Sequence, residues 1–253
     1  FPPKAKRVIY LFQHGAPSQL DLFDHKPGLA QLRGTELPES IRQGQRLTGM
    51  TSGQKAYPVV PPLMGGKRCG KHGTWISDLL PHIQTIADEI CIIKSMYTEA
   101  INHDPAITYM NTGNQQPGYA SMGSWVSYGL GSETKNLPGY VVLMNHRGPV
   151  ARQMAWGNGF LPSIHQGVMF RSQGEPILNL ETPEGVSAAA HKSQLEAIGR
   201  LNELRREGNA DPEIAARIAA YELAFRMQSA APELIDLSRE SKESLALYGV
   251  TRG

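Results

Sequence analysis

The chain is short of cysteine, of aromatic rings and of net charge, and each shortage removes a class of function. Its 253 residues include only Cys69 and Cys91. They form no CxxC pair and have no metal-spaced histidines beside them, so a zinc site built on thiolates does not fit. Both are expected to be buried thiols. Twenty-five basic residues stand against 23 acidic ones, spread along the chain for a net charge of +2. That leaves no basic stripe to neutralise a phosphate backbone and argues against nucleic acid as a partner. No run of about eighteen apolar residues occurs, so the sequence offers no membrane span. The apolar fraction is 40% and the charged fraction 19%, the balance of a folded globular chain. The length suits one domain over 1–253 with a core of useful size.

What is present begins with an apolar run, RVIYLFQ at 7–13, followed at once by the turn signal HGAPS, the pattern of a buried parallel-sheet strand. Residues 21–70 turn to Gly, Pro and Gln with a possible short strand at 57–60, a long excursion of the kind that lies over a binding face. Thr74 can cap a helix to about residue 89, with Ile76, Leu79, Leu80 and Ile83 on one face and Pro81 as an expected interruption. ICIIKSM at 90–96 reads as a second buried strand, and strand, helix, strand argues for an α/β fold. A helix from about Ser121, a strand at 140–144, a loop-rich stretch over 146–186 with a possible strand at 176–180, and helices over 191–207, 211–227 and 232–248 complete the expectation. Asp211, Pro212 and Glu213 are a good helix start. The segment 191–253 is expected to be helical scaffold or lid.

The densest chemistry lies in INHDPAITYMNTG, residues 101–113. Asp104 suits a helix N-cap, Pro105 the first helical position and Gly113 the stop. His103 would then sit at the positive end of a helix and the carboxyl end of a strand, where open α/β sheets bind ligands and anions are favoured. The same residues are also compatible with nothing more than a well-capped helix. Asn102 is a candidate hydrogen-bond donor, and Thr108, Lys94 and Trp156 are candidate substrate contacts, Trp156 as a stacking surface for a sugar or as core packing. Cys69 has basic neighbours but no base beside it.

Three stretches, VIYLFQHGAPSQLDLFDHKP, HGTWISDLLPHIQTIADEICIIKSMYTEAINHDPAITYMNTG and GFLPSIHQGVMFRSQG, closely resemble the sulfatase-like family of exported bacterial proteins catalogued as domain of unknown function 1501. The family belongs with the alkaline phosphatase and sulfatase superfamily. The resemblance implies an α/β fold with an alkaline-phosphatase-like, mostly parallel sheet flanked by helices and a helical C-terminal segment. It also implies a twin-arginine-type export signal ahead of Phe1, a periplasmic or extracellular location, and a further half of the family domain, rich in metal ligands, beyond Gly253. In the sulfatase motif Pro105, Met110, Thr112 and Gly113 fall in place. His103 stands at the nucleophile, with Ala106 and Ile107 where Ser and Arg are usual. An imidazole there can ligate a metal, act as a general base, or attack phosphorus. The first metal-binding carboxylate of the superfamily would follow strand one, where this chain has Gln13 and His14. A divalent metal, zinc, calcium or magnesium, is the implied cofactor; His14 can ligate a metal such as zinc, and Asp21 and Asp24 either reach back to it or serve as turn and cap residues.

Two functions follow as expectations. One is metal-assisted hydrolysis of a phosphate or sulfate ester, with His103, Asn102 and Asp104 at the reacting end, His14, Asp21 and Asp24 as metal ligands, and Thr108, Lys94 and Trp156 on the substrate. The other is a catalytically silent binding or assembly module that keeps the sulfatase-like fold. In either case another polypeptide, or the rest of the family domain, is expected to complete the sheet.

Overall fold

Glycine stands on both sides of the turn at 70–73, and there the chain doubles back. Gly70 and Gly73 hold φ of +68° and +63°, left-handed values that cost an L side chain but not glycine. The computed structural model describes residues 4–15, 17–42, 49, 51–144, 152–171, 177, 185–208 and 212–250. They divide into two compact units, 1–106 and 107–253.

In the first unit β1 (Gly66–Cys69) and β2 (Thr74–Ser77) pair antiparallel, Cys69 opposite Thr74. Gly66 lies against the Trp75 ring and 2.7 Å, by its missing Cβ, from the Ile76 carbonyl, which leaves no room for a side chain. A short helix α1 (Gln19–Leu22) is capped by the Ser18 hydroxyl, which accepts from the Asp21 N–H. Another, α2 (Glu39–Arg42), follows a single antiparallel bridge between Glu36 and Pro58, so the possible strand at 57–60 exists as one bridge. Helix α3 (Pro81–Thr85) starts at the proline that the sequence marked as an interruption. Cys69, Ile76 and Ala87 form the core of this unit, with Phe23, Leu80 and Ile83 packed against them.

The expected helix over 74–89 is therefore half strand and half helix. Thr74, Trp75 and Ile76 are β-favouring, and the cross-strand partner supplied by the glycine turn outweighs the helical spacing. Of the apolar positions read as one helical face, Ile76, Leu80 and Ile83 converge on one cluster with Ala87, while Leu79 and Ile86 are 50% and 44% exposed. The two expected strands at 7–13 and 90–96 belong to no ladder among the described residues. Rings at 10, 12 and 14 share one side of the first, with Tyr10 and Phe12 stacked at 5.6 Å, which is the period-two alternation of a strand. A strand also needs a neighbouring strand to form a ladder, and none is assigned beside this segment among the described residues. Cys91 is exposed rather than buried; Cys69 alone meets that expectation.

Helix α4 (His103–Thr112) follows, and Gly113 at φ +77° ends it as expected. In the second unit α5 (Met122–Leu130) begins after Ser121. The strand expected at 140–144 is β3 (Val141–Leu143), and it pairs in parallel with β4 (Val168–Phe170), an element hidden in the loop-rich stretch. Most of the possible strand at 176–180 lies outside the described residues. Helix α6 (Ala188–Gly208) packs on α7 (Pro212–Ile235). Asp211 also lies outside the described residues, while Pro212 is the first residue of α7. The helix expected over 232–248 breaks at Asp236, whose side chain accepts from the Ser238 N–H, leaving a short α8 (Lys242–Leu247). Ile177 and Met227 make this unit's apolar core with Val168, Phe170 and Leu223. The fold is thus mixed helix and strand, with two two-stranded sheets among the described residues.

Candidate functional site

The Ala106 N–H donates to the Asn102 carbonyl at 3.1 Å, so the first turn of α4 opens at Asn102, two residues before the expected cap. Asp104 lies inside that turn, where a carboxylate favours the helix start. Asn102, His103 and Asp104 are exposed, and Lys94 lies in an exposed turn. Thr108 and Trp156 are 3% and 7% exposed; both pack within the protein, so for Trp156 the core reading is the one observed.

The three residues suggested for a metal are engaged separately. Asp21 Oδ1 accepts from the Leu63 N–H at 3.1 Å. Asp24 is paired with Lys26 Nζ at 3.1 Å. His14 tilts against Phe12. Among the described residues no three His, Cys, Asp or Glu side chains gather where a metal could be held, and no catalytic step is derived through one.

A concavity lies at the other end of α4. It is a wide-mouthed groove of about 480 Å³ between that helix and α5, lined mainly by Met110, Asn111, Met122, Trp125, Val126 and Leu130. Trp125 is braced edge-on by Phe160 at 5.7 Å and by Tyr128 at 6.1 Å. His103, eight residues back along the helix and so roughly 12 Å away on its axis, is not part of the wall.

A row of serines on α5 at helical spacing fixes the surroundings. Ser121 and Ser124 share a hydrogen bond of 3.0 Å, and Ser124 Oγ donates to the Gly157 carbonyl at 3.1 Å. Both are buried. Ser121 also meets Tyr140, whose hydroxyl is pushed above its ordinary pKa by burial and pulled back in part by that bond. Ser127 Oγ and His165 Nδ1 lie 3.1 Å apart, the donor set by the tautomer, and the Tyr128 ring meets the imidazole edge-on at 5.4 Å. Sequence reasoning reached His165 only as a loop histidine beside glycine, and missed the pair because the two positions are 38 residues apart.

Burial lowers the His165 pKa below its ordinary value. The folded chain therefore holds that proton less readily than the unfolded one. The associated stability is complete above the unfolded pKa of about 6.5 and is lost as pH falls from there toward the depressed folded value. Thermal unfolding followed at pH 7.5 and 5.5 is expected to show a lower midpoint at the acid end, and His165→Gln is expected to flatten that difference.

No curated protein and no solved structure matches the chain. The family model described as "Protein of unknown function (DUF1501)" matches residues 5–253. On that span, which includes both units and every candidate residue above, the chain belongs to the DUF1501 family.

Proposed function

We infer that this chain is a binding and assembly module, and that residues 7–13 and 90–96 are its docking strands. The observation that carries the reading is their exposure: Val8 63%, Ile9 86%, Leu11 84%, Ile93 64% and Met96 68%. Burying each such side chain is worth about 1.5–3 kcal/mol. The occupant is another polypeptide presenting an apolar strand, and pairing with it would extend these segments into the broader, mostly parallel sheet that an alkaline-phosphatase-like fold requires. The sulfatase-like motifs support an exported protein, working in the periplasm or outside the cell.

A second reading, ester hydrolysis, is favoured by one feature, the exposed imidazole of His103 at the first turn of a ten-residue helix. There the anion would lie at the helix start beside Asn102 and Asp104.

One set of measurements on the purified chain separates the two. Light scattering across a concentration series is expected to show self-association, reduced by the double change Ile9→Asp and Leu11→Asp. A monomer at all concentrations with cooperative unfolding would sink the docking strands. Turnover of 4-nitrophenyl phosphate or sulfate that disappears in His103→Ala would put hydrolysis in their place.

A further inference from the structure

The groove between α4 and α5 is uncharged, and a buried carboxamide stands in its wall. Its apolar wall comes from Met110, Met122, Trp125, Val126 and Leu130. Among them stands Asn111, 7% exposed. Asn111 Nδ2 donates to the Ile107 carbonyl at 2.8 Å, which settles the end of the amide that is oxygen. Oδ1 accepts from no described group, yet it is not sealed off: the one sealed, unpartnered side-chain atom among the described residues is His191 Nδ1. A buried carboxamide oxygen in an apolar wall calls for an N–H or O–H from whatever enters.

We propose that this groove is a binding site for a neutral, flat, mostly apolar small molecule carrying one hydroxyl or amine that donates to Asn111 Oδ1. About 480 Å³ falls within the range of small-molecule sites, roughly 300–1,000 Å³. Neutrality follows from the wall, which contains no Lys, Arg, His, Asp or Glu; an anion there would lose its water and gain no counter-charge. Flatness follows from Trp125, held by edge contacts from Phe160 and Tyr128, so that a ring can lie against it at little cost in ordering. Met110 and Met122 supply adaptable flanks. The site is independent of the docking strands and takes a different class of ligand from the anion considered for His103.

Calorimetric titration of the full chain with 1-naphthol, 1-methoxynaphthalene and 1-naphthyl phosphate tests the proposal. The first is expected to bind at least about fivefold more tightly than the second, which lacks the donor, and at least about tenfold more tightly than the charged third. Asn111→Leu is expected to erase the advantage of 1-naphthol while leaving 1-methoxynaphthalene within about twofold. Met110 is 56% exposed, so Met110→Lys keeps the fold and is expected to raise 1-naphthyl phosphate at least to the level of 1-naphthol. That inversion decides the matter should Asn111→Leu fail to fold. Equal binding of all three compounds, a 1-naphthol preference that survives in Asn111→Leu, or no binding by the folded wild-type chain would each overturn it.

Discussion

Gly159→Ala is expected to destabilise the second unit by about 2–6 kcal/mol, the sum of roughly 1–3 for a left-handed backbone and 1–3 for overpacking. Gly159 holds φ at +56°. A Cβ there would fall on the backbone of Tyr119 and Ala120 and 2.8 Å from the Gly118 carbonyl. Backbone cannot swing aside as a long side chain can. The same loop is tied to α5, since the Ser121 N–H and Ser124 Oγ both donate to the Gly157 carbonyl, so moving the loop would break bonds of buried groups. Gly118→Ala is the control. Its φ is +106° but nothing lies within 4 Å of the added carbon, so it carries conformational strain without the clash. Urea unfolding followed through the aromatic signal of the Trp125 cluster should rank the two in that order. A Gly159→Ala loss under about 1 kcal/mol, below the strain alone, would mean that the loop does not approach residues 118–120.

In the first unit, Ile76→Ala is expected to cost about 2–5 kcal/mol. Ile76 is 0% exposed and is surrounded by Cys69, Ala87, Phe23, Leu80 and Ile83. Deleting its outer carbons removes buried surface and leaves a void that strand and helix can only partly fill. The Gln84 amide Nε2 donates to the backbone carbonyls of Ile76 and Ser77 at 3.3 and 3.0 Å, acceptors that the substitution leaves in place, so the loss reports packing alone. Leu63→Ala, at a side chain 79% exposed, should change stability by no more than about 0.5 kcal/mol. Amide exchange at β1 and β2 reads both. Similar protection in the two variants would show that this small cluster does not hold the hairpin.

What could be read in advance was the chemistry of short range. The helix at 103–112 was legible because proline, an acid and a terminal glycine lie within one segment and act through their own backbone. The start at Met122, the strand at Val141 and the proline opening α7 were legible for the same reason. The parallel sheet was not. RVIYLFQ and ICIIKSM have the composition of strands, but pairing is a property of two segments, and composition specifies only one. β4 escaped notice at three residues, too few to show a period. In the candidate site, His103 could be placed on its helix from sequence. The groove could not, because Asn111 and Trp125 meet only through the turn that joins α4 to α5. The metal reading rested on the family resemblance at His14, with Asp21 and Asp24 nearby in sequence; here Asp21 accepts from the Leu63 amide and Asp24 pairs with Lys26, contacts that sequence proximity does not show.

The two thiols differ in a useful way. Cys69, the last residue of β1, is buried, whereas Cys91 stands exposed within residues 90–96, the segment proposed for docking. A maleimide dye therefore has one ready target in the native chain, and it reports from the stretch where a docked polypeptide would shield it.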